Sequence, residues 1–212
     1  LFRDRFGIRP LFFKCYKDTF LYSSEIKSIV AFEEKAPETS LMGIASTSLF
    51  WSNIGNYTSF EDIFQIPPGS YLIFSNDKFE IKQYWKNPIC LVNKNTKNEK
   101  NFKYEKFYEL IKEAVNRQIF GEVGFSSYLS GGIDSSVLAY ILTKIQKSSI
   151  DTFSIEFQNK EYDESEAQSR MKSVINSNHY SLKISNSDIA DNFEKVVNHT
   201  ECHLFRTAPV PM

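Results

Sequence analysis

The run Leu129-Ser130-Gly131-Gly132-Ile133-Asp134-Ser135-Ser136 puts two glycines, three hydroxyls and one carboxylate side by side. It follows a strand-like stretch from Val123 and leads into a helical apolar pattern from Val137 to Ile145. A strand, a glycine turn and a helix start in that order make an anion site. Turn amides converge on the ligand, and the unpaired first-turn amides and the helix dipole favour negative charge. Glycines allow the backbone to approach a phosphate closely. Asp134 fits such a site when it holds a divalent cation that itself sits on the phosphates. The spacing is not that of a Walker A loop, which needs more separated glycines and a lysine before Ser/Thr; the first lysine after this turn is Lys144.

The surrounding sequence changes character twice. Residues 1–85 read as strands and turns: Leu11-Phe12-Phe13 and Thr19–Ser23 flank a turn at Lys17-Asp18, and Tyr71–Phe74 and Phe79–Trp85 flank another at Asn76-Asp77. Between them Ile26, Ile29 and Val30 predict a short helix behind a serine cap. Residues 86–102 form a linker rich in Asn and Lys. From Leu91 to Asn101 no aromatic is interleaved to stack on bases, so a solvated connection is the better reading than a nucleic-acid patch. From 103 onward helix and strand alternate. Phe107, Leu110, Ile111, Ala114 and Val115 share one helical face. Phe153, Ile155 and Phe157 alternate as a strand, Asp163 with Glu166 resembles a capping box, and Tyr180, Leu182 and Ile184 make the next strand. This alternation predicts a parallel sheet whose ligands sit at the carboxyl ends of the strands, where the glycine loop falls.

The whole 212-residue composition excludes several classes. Lys plus Arg is 25 against 26 Asp plus Glu, which leaves no electrostatic footprint for nucleic acid or an anionic membrane. No apolar run approaches a membrane span, and the beginning is not a signal peptide. Cys15, Cys90 and Cys202 are scattered and odd in number, so a disulfide framework is not expected and a reducing cytoplasm is. Cys15 is expected to be a buried structural thiol. His199, Cys202 and His203 could be taken for metal ligands, but Cys202 falls off the shared helical face, so a helix C-terminus is the plainer reading.

Taken together, these stretches resemble the glutamine-dependent asparagine synthetases. Arg3-Asp4-Arg5-Phe6-Gly7-Ile8-Arg9-Pro10-Leu11 is similar to the RDRFGIKPLY run late in that family's glutaminase domain, and Ser23–Ser28 to the ASEIKA that follows. Ile66-Pro67-Pro68-Gly69 and Gln83-Tyr84-Trp85 resemble the strands that close it. Leu129–Ser136 resembles the pyrophosphate loop of the synthetase domain, with Thr152–Ile155 and Tyr162–Ser165 as the next strand and helix start.

The resemblance implies an α+β part, residues 1–85, from the C-terminal portion of an N-terminal-nucleophile glutaminase with an antiparallel sheet. A linker at 86–102 follows, and 103–212 is then the first part of an α/β ATP-pyrophosphatase domain with a parallel sheet. It implies ATP and Mg²⁺ as cofactors, aspartate and glutamine as substrates, and formation of β-aspartyl-AMP that ammonia converts to asparagine. By this resemblance Ser130, Gly131, Gly132, Asp134, Ser135 and Ser136 hold pyrophosphate and Mg²⁺, with Asp134 the catalytic and metal residue. Leu129 and Ile155 meet adenosine through the backbone, and Arg206 faces the aspartyl group. No nucleic-acid or membrane partner is implied, and a homodimer is left open. The nucleophilic cysteine is expected before Leu1 and a second, SGEG-type loop after Met212, so these residues alone are expected to be inactive. A related ligase with another acceptor, of the β-lactam-synthetase kind, is the alternative.

Overall fold

A computed structural model describes residues 1–16, 18–33, 36–91, 103–146, 149–158, 164–175 and 177–211. The chain forms two compact units, Leu1–Thr96 with Phe193–Val210, and Lys97–Asn192 with Pro211–Met212.

In the first unit β1 (Phe12–Tyr16) and β2 (Thr19–Ser23) pair antiparallel from Phe12↔Ser23 to Tyr16↔Thr19, and β3 (Phe64–Gln65) lies on the other edge of β1. A second hairpin joins β4 (Ser70–Ser75) to β5 (Lys78–Gln83). Its turn residues Asn76 and Asp77 both have positive φ (51° and 58°), the backbone of a tight two-residue hairpin that Asn and Asp tolerate best.

Alternation along β1 separates two apolar clusters. Phe13 packs with Ile66 and Leu72, backed by Phe20, Phe64 and Ile81. Phe12 and Leu21 turn toward Ile26, Ile29 and Ile63. Ile26 and Ile29 belong to α1 (Ile26–Glu33), which Lys14 also ties down through a shielded ion pair to Glu33 at 2.9 Å. Cys15 is exposed, contrary to expectation. It stands on Phe13's side of β1 but two residues nearer the hairpin end, outside the apolar cluster.

A further helix, α2 (Leu41–Phe50), was not expected. Ser40 caps it, accepting the Gly43 amide at 3.4 Å. Gly43 is required there by close approach: a Cβ would stand 1.8 Å from the Thr58 carbonyl oxygen.

The second unit contains α3 (Tyr104–Gln118), β6 (Ser126–Tyr128), α4 (Ile133–Gln146), β7 (Ile150–Phe157), α5 (Ser165–Val174) and β8 (Ser177–Ile184). Helix α6 (Asn186–Thr200) starts here and ends within the residues of the first unit. The strands form a parallel sheet in the order β6-β7-β8, as the alternation predicted. Strand β6 is shorter than the stretch from Val123 suggested, because Gly124 and the turn before it interrupt pairing. Leu129, Ala139 and Ile175 form the core between strand end and helices, with Met171 and Tyr140 packed on it. The opposite sheet face presents Tyr128, Phe153, Tyr180 and Leu182, each at least 40% exposed. Asp163, expected in a capping box, and most of the linker lie outside the described residues. Among the described residues no helix is long and apolar enough to cross a membrane.

Candidate active site

The loop joining β6 to α4 is held from both sides. The Leu129 side chain is fully buried in the core, and its amide donates to the Phe153 carbonyl at 2.8 Å. That bond fixes the end of β6 against β7. Pairing between those strands stops at Tyr128↔Phe153 while β7 runs on to Phe157. The glycine turn therefore begins where the β6 edge of β7 becomes free of strand, at the carboxyl end of the sheet.

Within the turn the three serines divide the work. Ser135 Oγ accepts the Ser130 amide at 3.2 Å, lies 2.9 Å from Ser130 Oγ and donates to the Gly132 carbonyl at 3.2 Å. These bonds fold the loop back on the first turn of α4. Ser136 is different. Its side chain is buried and its hydroxyl has no hydrogen-bond partner among the described residues. A buried hydroxyl without a partner is costly unless a ligand or water serves it.

The two glycines are not equivalent. Gly131 has φ +84°, and a Cβ there would stand 2.8 Å from Ala167 Cβ and 3.2 Å from the Gln168 amide nitrogen. It permits both the left-handed backbone and close packing on α5. At Gly132 a Cβ would meet only Ser130 Oγ, at 3.4 Å. That side of the turn is open.

Asp134 is exposed in the first turn of α4. With Ile133 and Ser135 it offers amides that have no intrahelical acceptor. Such a turn suits a polyphosphate, and one carboxylate suits Mg²⁺, which commonly takes one or two protein carboxylates together with substrate phosphates. Among the described residues no group of three His, Cys, Asp or Glu side chains converges as a self-sufficient metal site. Helix α6 stops at Thr200 and Glu201 turns left-handed with φ 54°, so His199 lies in the helix and Cys202 and His203 lie beyond it.

Ile155, the other residue expected near adenosine, lies on β7 past the end of β6. Its carbonyl accepts Gln168 Nε2 at 3.1 Å, and Gln168 is itself buried. This clamp between α5 and β7 fixes the strand end beside the turn; glutamine at 168 carried no motif that could have shown it. Arg206 belongs to the first unit, where its guanidinium lies 5.1 Å from the centre of the Trp51 ring.

A polar ladder also went unanticipated. On the helix-facing side of the sheet, Thr152 Oγ1 and Ser154 Oγ lie 3.0 Å from the two ring nitrogens of His179, and Thr152 also bonds Ser177 Oγ at 3.1 Å. Burial depresses the His179 pKa below its ordinary value; Lys172 adds to this and Glu156 opposes it.

The family model described as Asparagine synthase matches residues 106–212, and that described as Glutamine amidotransferase domain matches residues 1–85. The chain is 28% identical over 215 residues to Asparagine synthetase [glutamine-hydrolyzing] 3 of Bacillus subtilis (strain 168), covering 92% of this chain and 34% of that protein. It is 30% identical over 167 residues to Putative asparagine synthetase [glutamine-hydrolyzing] 2 of Methanocaldococcus jannaschii, covering 76% and 32%. A fungal protein, Amidase chyE of Penicillium rubens, is 28% identical over 219 residues, covering 95% and 32%. The chain thus spans about a third of the length of these relatives. With an antiparallel sheet followed by a three-stranded parallel sheet, and both matches in that order, the chain belongs to the asparagine synthase family.

Proposed function

We propose that the protein uses ATP to convert aspartate to asparagine with nitrogen from glutamine, releasing AMP and pyrophosphate by way of β-aspartyl-AMP. The observation that carries this reading is the β6–α4 turn: a left-handed Gly131, an open Gly132 and the unpartnered hydroxyl of Ser136 at one helix start. In this reading residues 1–85 belong to an N-terminal-nucleophile glutaminase and 103–212 to an ATP-pyrophosphatase domain. The amides at the start of α4 and Ser136 Oγ take the pyrophosphate oxygens as negative charge builds on them. Leu129 and Ile155 border the adenosine, and Arg206 serves the aspartyl carboxylate. Asp134 would hold Mg²⁺, which when bound neutralises phosphate charge and stabilises the leaving group.

A second reading keeps the adenylation and changes the acceptor. The fungal relative whose name says amidase supports it. One assay separates the two. Protein made from the complete reading frame is supplied with ATP, Mg²⁺ and glutamine or ammonia, with aspartate, with other carboxylic acids in its place, and with neither. Pyrophosphate and asparagine in equal amounts, dependent on aspartate, are expected. Pyrophosphate release with a different carboxylate and none with aspartate would replace the first reading by the second. Release with no carboxylate at all would overturn both.

A further inference from the structure

Helix α1 begins at Ile26, and its first-turn amides need acceptors. The Glu25 amide is served from nearby, by Ser23 Oγ at 3.2 Å. The Ile26 and Lys27 amides each donate to Glu201, to Oε2 and Oε1, both at 2.7 Å. The Glu201 side chain is 10% exposed, and Lys27 Nζ lies 4.0 Å from the same carboxylate. A bidentate carboxylate on a helix start is a strong, directional contact. Residues 26 and 27 fall in the stretch matched by the glutamine amidotransferase family, and 201 in the stretch matched by the asparagine synthase family.

The backbone at Glu201 makes the choice of residue more telling. It follows the last turn of α6 with φ 54°, and its amide donates to the Val197 carbonyl at 3.0 Å. This is a left-handed helix cap, where glycine or asparagine is the comfortable residue. A glutamate here accepts backbone strain, and strain of this kind persists where the surroundings hold it in place. Five residues on, Arg206 stacks on Trp51, the left-handed residue that ends α2. The segment after α6 is therefore fastened at α1 and at the end of α2.

We propose that Glu201 is a positioning residue that couples glutamine use to synthesis, by tying the end of α6, in the asparagine synthase stretch, to the start of α1, in the glutamine amidotransferase stretch. The proposal rests on the functional reading above. It predicts that losing the clamp leaves both half-reactions running and lowers the fraction of glutamine-derived nitrogen that reaches product.

The test uses the complete protein with E201G and E201A, and E201D as the conservative change. Glycine suits the left-handed cap, so E201G keeps the end of α6 intact while removing the carboxylate. Glutamine hydrolysis and ammonia-dependent asparagine synthesis should stay within about twofold of wild type in E201G. Glutamine-dependent synthesis should fall about tenfold or more, within the scale of the two charge-assisted hydrogen bonds lost. E201D, which keeps the charge, should recover part of the loss. Amide exchange at Ile26 and Lys27 should quicken in E201G. A parallel fall of ammonia- and glutamine-dependent synthesis in both E201G and E201A overturns the coupling role, as does an unchanged ratio. Wild-type protein unable to make asparagine from aspartate and ammonia overturns the functional reading and the coupling with it.

Discussion

The hydroxyls of Ser130 and Ser135 lie 2.9 Å apart, closing the glycine turn onto the first turn of α4. Ser136, the next residue, points a buried hydroxyl at no described partner. The three serines of one motif thus separate into two that shape the loop and one whose buried hydroxyl has no partner among the described residues.

Substitution should reveal that division. S135A removes the acceptor of the Ser130 amide and one tie to Gly132, so it should lower stability by about 1 kcal/mol and weaken ATP use through loop disorder. S136A removes an unpartnered buried hydroxyl, so it should leave stability unchanged or raise it slightly while weakening ATP–pyrophosphate exchange. Thermal unfolding and exchange rates on the same samples check both. Equal stability losses in the two variants would contradict the assignment.

Gly131 and Gly132 should part in the same way. G131A forces an unfavourable backbone and a 2.8 Å contact with Ala167, and should cost about 1–3 kcal/mol of stability. G132A has space in the unliganded turn, so its fold should survive while nucleotide binding falls. Denaturant midpoints compared with titration by ATP·Mg²⁺ distinguish the two. A G132A protein that unfolds as readily as G131A would refute the distinction.

In the complete protein D134N should reduce asparagine synthesis from either glutamine or ammonia on the order of a hundredfold or more, the effect of removing a metal ligand from a phosphoryl site. Glutamine hydrolysis should stay near wild type, because Asp134 lies in the asparagine synthase stretch. Near-normal ammonia-dependent synthesis would refute the role.

The pH response of the parallel sheet follows from His179. Its folded-state pKa is depressed, first by burial. The unfolded chain therefore binds its proton more readily. The stability it contributes is fully present above the ordinary histidine range near 6.5 and declines as pH falls from there toward the folded pKa. Asp4 and Asp188, also depressed, lose their contributions only at still lower pH, below the ordinary carboxylate value. Stability measured from pH 7.5 to 5 should fall in wild type and fall less in H179Q. Parallel profiles would show that the ladder does not titrate.

Signals carried within a few residues were legible in the sequence. The turn at Leu129–Ser136, the hairpin at Asn76-Asp77 and the alternation that makes β7 and β8 all rest on local spacing. Helix α2 was not legible because its residues look like loop formers: the hydroxyls of Ser46, Thr47 and Ser48 bond back to the carbonyls of Gly43 and Ile44 instead of marking a turn. Which glycine adopts positive φ was equally hidden, since both permit it. The serine cap expected for α1 proved to be largely Glu201, a residue 175 positions from Ile26 that no window could connect to it.

That separation bears on how the protein is made. The first unit is interrupted in sequence by all of residues 97–192, and its remaining piece, Phe193–Val210, emerges from the ribosome only after them. Joining Glu201 to α1 as a flexible loop of that length would cost on the order of 4 kcal/mol in closure entropy. Prior collapse of the intervening unit shortens the effective loop and lowers the cost. The α1 contact should therefore form late in folding, and mutations at Glu201 should accelerate unfolding far more than they slow refolding.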